Sequence, residues 1–506
     1  MIQFGTKAET LERLYGRLKN AKVLPQYTFT VGNWRDTIEQ EIFWEQCLHR
    51  MDSVDQFIVR SSALNEDTLE CSHAGKFESV GNVRDKQGFF KAVNTVIRSF
   101  DSDNEDNQVL VQPMLPDVMA CGVAFTIDPN TRGNYYVINY DESGSTSALT
   151  SGSGNQNKLL YVFRGMEDGV KPAYIYKLCL TLKELERLTE MKNLDVEFAV
   201  TKNEELYIFQ VRPLCISGEA VDYKTQYDLL KRIEYKIKQN AVKKPYLCGD
   251  RNIYDVMSDW NPAEMIGIRP KPLAMSLYEE VITDSVWAYQ RDNYGYRNLR
   301  SFPLMVDFGG VPYIDIRVSF NSFVPAELEE DISSKLVNYY LDRLAEDPSK
   351  HDKVEFDIVF SCYTLDLIER IRVLKRYGFS DKEIDRIADT LRNVTNRIIN
   401  TDQGLWRRDF EKIGRLEERY DTIVNSKMSE VEKIYWLLED CKRYGTLPFA
   451  GLARGAFIAV QLLDSMVKTG VISKEDYQDF MNDVETVSTN MNRDLVIMTK
   501  EDFLDK

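Results

Sequence analysis

"LDVEFAVTKNEELYIFQVRPL", Leu194–Leu214, sets two apolar-rich runs on either side of a polar turn. Its period-two alternation predicts a β-hairpin. Residues two apart on a strand share a face, so Asp195 and Glu197 point together, as do Gln210 and Arg212. A two-residue turn at Asn203 and Glu204 sets an antiparallel register with Glu197 opposite Gln210 and Asp195 opposite Arg212. One face of an otherwise apolar hairpin then holds two acids, an amide and a guanidinium. Burying both acids without cations is costly. A structural ion pair between Asp195 and Arg212 is one answer. A hard divalent cation is another, because Mg2+ takes carboxylate and amide oxygens together with phosphates, against which Arg212 would add charge.

The rest of the chain bounds what such a face can serve. At 506 residues there is length for two to four domains. A hydrophobic fraction of 43% and a charged fraction of 28% describe an ordinary globular composition. Sixty-four Lys+Arg against 80 Asp+Glu leave a net charge of −16, which argues against nucleic acid or an anionic membrane as partner. A small anionic ligand stays compatible with that sign. The eight cysteines are scattered with no CxxC pair, so a reducing cytoplasm is expected. The most apolar window, Ala450–Val467, is interrupted by Arg454, Gln461 and Asp464, and no membrane span is expected.

Up to about Cys215, β-rich runs alternate with helical patterns: "QFIVR" (56–60), "QVLVQPML" (108–115), "GVAFTIDP" (122–129) and "NYYVINY" (134–140) read as strands. "SGSTSALTSGSGN" (143–155) reads as a surface loop or as a mobile phosphate cover. Polar, Lys/Tyr-rich residues 216–246 read as a connecting helix. Beyond them the pattern is mostly helical, with Leu367, Ile371 and Leu374, and Ala456, Val460 and Leu463, at helical spacing. One β-like island, "LMVDFGGVPYIDIRV" (304–318), interrupts it. The expected organisation is α+β: a first domain over 1–215, a connector over 216–246 and a mostly helical domain over 247–506.

Three further stretches concentrate polar chemistry. Lys7 sits at a helix start, an unfavourable place for a cation unless an anion is near; a solvated lysine is the alternative. Arg60 ends a strand ahead of Ser61 and Ser62, which suits phosphate oxygens or a plain pairing with Glu66 or Asp67. Gln112, Pro113, Met114 and Leu115 follow a buried strand, where backbone groups that leave the sheet can meet a ligand's edge or simply end it.

Taken in order, these segments resemble the nucleotide-binding ATP-grasp domain of the phosphoenolpyruvate synthase and pyruvate phosphate dikinase family. "VRSSALNEDTLECSHAGKFESVGNV" (59–83) is similar to its VRSSA-x-x-ED…AG…NV signature, "VLVQPMLPDVMACGVAFTIDP" (109–129) to VQ-x-M…GV-x-FT-x-DP, and the hairpin to D-x-E…QxRP. The resemblance spans roughly Lys7–Pro213. It implies ATP and Mg2+ as cofactors. Lys7, Arg60 and Arg212 would grip the triphosphate and act in catalysis, Gln112–Leu115 would hold adenine, Glu197 and Gln210 would ligate Mg2+, and Asp195 would support them. The segment between Val83 and Gln108 is shorter than the family's usual.

Family members pass phosphate through a histidine on a separate domain, in a Gly-rich motif. His49, His73 and His351 lie in no such motif, so that domain is expected in cis beyond Lys506 or in trans, and the chain is expected to be part of a longer enzyme. "SDWNPAEMIGIRPKPLAMSLYEEVITDSVWAYQRDNYGYR" (258–297) resembles capsule-linked dikinases that include L-glutamine kinases. The resemblance implies a small polar acceptor, glutamine or a pyruvate-like acid, with Asp259, Asn261, Glu264, Arg269, Asp315 and Arg317 as candidate contacts; "TLPFAGLARGAFIAVQLL" (446–463) reads as packing, with Arg454 the one polar exception worth testing. An ATP-binding regulator without catalysis is the rival from another class.

Overall fold

The computed structural model describes residues 2–35, 39–51, 54–64, 77–100, 104–143 and 157–497. His73 and nearly all of the Gly/Ser stretch lie outside them. The chain divides into two units, Met1–Leu230 and Lys231–Lys506. The division falls inside helix Tyr223–Ala241, within the stretch read as a connector.

The first unit is built on two sheets. Its strands are β1 (Lys22–Val23), β2 (Tyr27–Thr30), β3 (Phe57–Ser62), β4 (Ser79–Val83), β5 (Gln108–Pro113), β6 (Val118–Phe125), β7 (Tyr135–Asp141), β8 (Lys158–Phe163), β9 (Leu194–Thr201) and β10 (Leu206–Pro213). One sheet runs β1-β10-β9-β6-β7-β8 and the other β2-β5-β3-β4. All pairings are antiparallel except β1 with β10.

Alternation sorts the faces. Leu194, Val196, Phe198 and Val200 of β9 bury with Leu178, Leu182 and Leu185 of helix Ala173–Thr189. Phe57, Val59, Val109 and Val111 bury with Phe43, Cys47, Phe89 and Val93 from helices Glu39–Arg50 and Lys86–Ser99. Each sheet thus spends its apolar row on its own helical layer. Leu110, from the opposite row of β5, is buried in the core of the six-stranded sheet, and Arg60 from that same row reaches Glu197 on the other sheet, so the second faces of the two sheets meet.

The hairpin keeps the expected pairs by a different route. Near the turn the partners are Leu206↔Val200 and Ile208↔Phe198, one residue out of the expected register. The loop has Lys202, Asn203 and Glu204, closed by the Thr201 N–H donating to Glu205 O at 3.0 Å, with Glu204 at φ 58°. Three-residue hairpin loops commonly end in such a left-handed residue. A bulge at Phe209 then shifts the register back, restoring Gln210↔Glu197 and Arg212↔Asp195. The run read as a strand to Pro129 ends at Phe125, where the Asp128 carboxylate collects the Asn130 N–H and Thr131 hydroxyl.

The second unit is mainly helical, so the α+β class with a helical second part holds. A small sheet of β11 (Tyr254–Asp255), β12 (Met305–Asp307) and β13 (Pro312–Asp315) runs β11-β13-β12. The β-like island therefore stops at Asp315 instead of Val318. The Asp315 side chain accepts the Val318 N–H at 3.0 Å and starts helix Ile316–Asn321, a capping signal that the β-branched residues mask. Leu367, Ile371 and Leu374 are buried as expected, on a short helix that tightens into a 3-10 turn. Ala456, Val460 and Leu463 are not the buried stripe of helix Leu447–Lys468. Gly451, Arg454, Ile458, Gln461 and Ser465 are. By length and composition alone, Glu430–Lys468 could cross a membrane, yet the interior-facing side of its second half is polar.

Candidate functional site

The polar rows occupy the two faces that meet. On β3 and β5, Arg60 lies opposite Leu110 and Ile58 opposite Gln112. Opposed residues share a face, so Arg60 and Gln112 look toward the six-stranded sheet. That sheet answers with Glu197 opposite Gln210 and Asp195 opposite Arg212. The contact is direct: Arg60 Nη2 donates to Glu197 Oε2 at 3.2 Å, and Nη1 to the Phe209 carbonyl at 3.4 Å. The bulge that restores the register therefore also presents a carbonyl to the arginine. Arg212 holds Asp195 Oδ2 through Nε and Nη2, at 2.8 and 2.6 Å.

Lys7 reaches the same place from helix Lys7–Leu14. Thr6 caps the helix by accepting the Glu9 N–H, and the Ala8 N–H donates to Ser62 Oγ at 3.0 Å, pinning the helix start to the end of β3. Lys7 is buried, and its charge acts on both Glu197 and Asp195. The anion that a lysine at a helix start calls for is supplied by the hairpin. Burial pushes Glu197 upward, but Lys7, Arg60 and Arg212 outweigh it and hold the carboxyl below its ordinary range. Burial dominates at Asp195, with Glu197 adding to it, and raises that carboxyl despite Arg212. The two neighbouring acids are driven apart, Glu197 downward and Asp195 upward.

Among the described residues no group of three or more His, Cys, Asp or Glu side chains gathers to hold a metal. A carboxylate paired with an amide fits Mg2+ only where other oxygens complete its shell, as phosphates do. Glu197 and Gln210 are such a pair.

In the segment expected to meet adenine, one backbone group is engaged within the protein: the Met114 N–H donates to Gln56 O at 2.8 Å. Met114 Sδ in turn accepts the Asn82 N–H. What the segment does offer is the Gln112 side chain, 1% exposed, with neither amide atom hydrogen-bonded. A buried amide without partners is a costly feature that a ligand edge would relieve. Pro113–Leu115 lie where the chain leaves the four-stranded sheet for β6 of the other, beside the seam. Asn139, unnoticed in the sequence, sits in the same row as Glu197 through Val123, its polarity visible in the alternation of "NYYVINY".

The candidate acceptor residues scatter. Asn261 caps helix Pro262–Met265, Glu264 and Arg269 are exposed, Asp315 is a cap, and buried Arg317 donates to the Asn240 carbonyl. Asp259 and Arg454 come together around a cavity of about 220 Å3 that Arg291 and Glu355, both missed in the sequence, also line. His351 is held by Asp255, its Nδ1 2.8 Å from Oδ1.

Residues 18–143 match the family described as pyruvate phosphate dikinase, AMP/ATP-binding domain. The matched span includes Arg60 and Gln112–Leu115 and leaves out Lys7 and the hairpin. No curated protein matches the chain. Similar solved structures include a D-alanine-D-alanine ligase from Helicobacter pylori, at 16% identity and TM-score 0.26 over 44% of this chain and 59% of that one. Another is the D-alanine-D-alanine ligase from Coxiella burnetii, at 13% identity and TM-score 0.24 over 44% of this chain and 51% of that one. The chain thus spans little more than half of those proteins, and scores this low carry no argument. The ATP-binding character of the first unit rests on the family match.

Proposed function

We propose that this chain is the nucleotide-binding and acceptor-binding part of an ATP-dependent phosphotransferase of the dikinase type. The observation that carries the reading is the meeting of two polar rows, Arg60 and Gln112 on one sheet and Asp195, Glu197, Gln210 and Arg212 on the other. In this reading Arg60, Arg212 and Lys7 hold the phosphates, Gln112 and the Pro113–Leu115 segment hold adenine, and Glu197 with Gln210 hold Mg2+. The metal's contribution when bound is to neutralise phosphate charge. Arg60 pairs with Glu197. On binding, the guanidinium turns to phosphate oxygens and releases the carboxylate, so that neither charge is left alone in the seam.

One phosphoryl group of ATP then passes to a histidine on a domain supplied in cis or in trans, and on to a small polar acceptor, with the side-chain amide of L-glutamine as the leading choice; the other goes to water, so AMP and inorganic phosphate leave. Full-length protein incubated with ATP, Mg2+ and either glutamine or pyruvate, followed by phosphorus NMR, tests the reading. A phosphoramidate signal with glutamine supports it, and phosphoenolpyruvate redirects it to a pyruvate-like acceptor. MgATP binding without AMP formation under any condition overturns it in favour of a regulator.

A further inference from the structure

Helix Leu447–Lys468 buries charge where its composition promises an apolar stripe. Arg454 is 1% exposed and meets both carboxylate oxygens of Glu355, with Nη2 2.7 Å from Oε1, while its Nε has no partner. Arg291, 6% exposed on helix Val286–Tyr294, is held less well. It approaches Asp259 Oδ1 and Gln290 Oε1 only at 3.4 Å each. Charged guanidinium–carboxylate bonds normally close to about 2.7–2.9 Å. Burial and the nearby Arg454 charge depress the Arg291 pKa against the pull of Asp259 and Glu355. A deeply placed cation with loose partners is one that a ligand anion would complete.

The cavity among these groups measures about 220 Å3, below the roughly 300–1,000 Å3 of sites for drug-sized ligands. Trp260 and Phe457 give it aromatic walls, and Ala450 and Ala453 leave the space open. Asp259, Trp260 and Asn261 have φ of 41°, 61° and 20°, three consecutive non-glycine residues outside the favoured regions. Such backbone persists where the surroundings over-determine it, and it clusters at ligand sites. Two cations and two carboxylates line the cavity, so their formal charges cancel. A dianion would be repelled by Asp259 and Glu355, and a purely apolar guest would leave Arg291 with only its two 3.4 Å bonds and the Phe323 ring beneath it.

We infer that this cavity binds a small zwitterion of α-amino-acid size, its carboxylate on Arg291, its ammonium on Asp259, and its aliphatic part between Trp260 and Ala453. This rests on the reading of the second unit as acceptor-binding and gives that acceptor a place and a chemical class.

Calorimetric titration of the full chain without nucleotide tests it, with each of the common L-amino acids, pyruvate and inorganic phosphate as probes. Saturable binding is expected for L-glutamine or a close analogue, at least tenfold tighter than for pyruvate or phosphate. Ala453→Leu, which fills the cavity without touching a charge, and Arg291→Lys, which keeps the charge and loses the fork, should each weaken it at least tenfold. Circular dichroism confirms that each variant is folded. If Ala453→Leu does not fold, Arg291→Lys alone decides. Saturation by no amino acid, or wild-type affinity in the folded variants, overturns the inference. Glu197→Gln separates it from the nucleotide reading: MgATP binding falls while amino-acid binding stays, so either claim can fail alone.

Discussion

The hairpin β9–β10 and the helix Leu447–Lys468 both carry charge into the interior, and only one of them announces it. In the hairpin, period-two sorting puts apolar residues on the core face and every charge in one opposing row. In the helix the sorting is reversed: Arg454, Gln461 and Ser465 face inward while Phe449 and Phe457 are exposed. An amphipathic pattern reveals a site only when the apolar side is the buried one. Where the polar side is buried, the same pattern points the reader to the wrong face.

The largest effect expected from breaking this contrast lies in the helix. Arg454→Met takes the bidentate partner from Glu355, whose side chain is 13% exposed, and should destabilise the second unit by about 3–5 kcal/mol. Adding Glu355→Gln should recover most of that loss, because the cost lies in the orphaned charge. Urea unfolding of the single and double variants measures both. A small loss in the single variant would place Glu355 in contact with water and reduce the helix to an ordinary surface pairing.

On the proposed nucleotide-site reading the hairpin's charge serves chemistry more than stability, so Glu197→Gln should leave the first unit folded. Its expected effect is a drop in AMP formation by the full-length enzyme of about 100–1,000-fold, the usual range for losing one electrostatic contact in a site. An unchanged rate would return the hairpin to a structural ion-pair role.

How much of this could be read from residues alone follows from the same contrast. The row Asp195, Glu197, Gln210 and Arg212 was legible because a strand has only two faces. Its register matches a two-residue turn only because two features offset: the loop is one residue longer than two, and the Phe209 bulge removes the difference. Bulges leave no fixed mark in a sequence, so agreement at Glu197 was no proof of the turn. The Met114 N–H finds its partner, Gln56 O, in a distant segment, which local spacing does not reveal. Arg291 and Glu355 were invisible as a pair with Asp259 and Arg454, since four separate segments bring them together.

Gln112 offers a smaller test with opposite signs. Its buried amide lacks partners, so Gln112→Leu should stabilise the first unit by about 1–3 kcal/mol. The same change should weaken ATP binding in calorimetry. Stabilisation with undiminished affinity would remove Gln112 from the adenine site, and loss of both would mean that the amide has a structural partner.

The smallest effect is a matter of sign and separates the two carboxylates of the hairpin. Glu197 is held below its ordinary range, so the folded chain is ionised there while the unfolded chain is still protonated. Its stabilisation is present above the unfolded value and lost as pH falls through the folded one. Asp195 is displaced upward, so across its window the folded chain keeps a proton that the unfolded chain has released. Its contribution therefore declines as pH rises. Urea unfolding across the acid range should show a rising limb that Glu197→Gln removes and, at higher pH, a falling limb that Asp195→Asn removes. Should Asp195→Asn leave the falling limb in place, the Arg212 pair has overcome burial, Asp195 is ionised throughout, and both acids of the hairpin face the seam as anions.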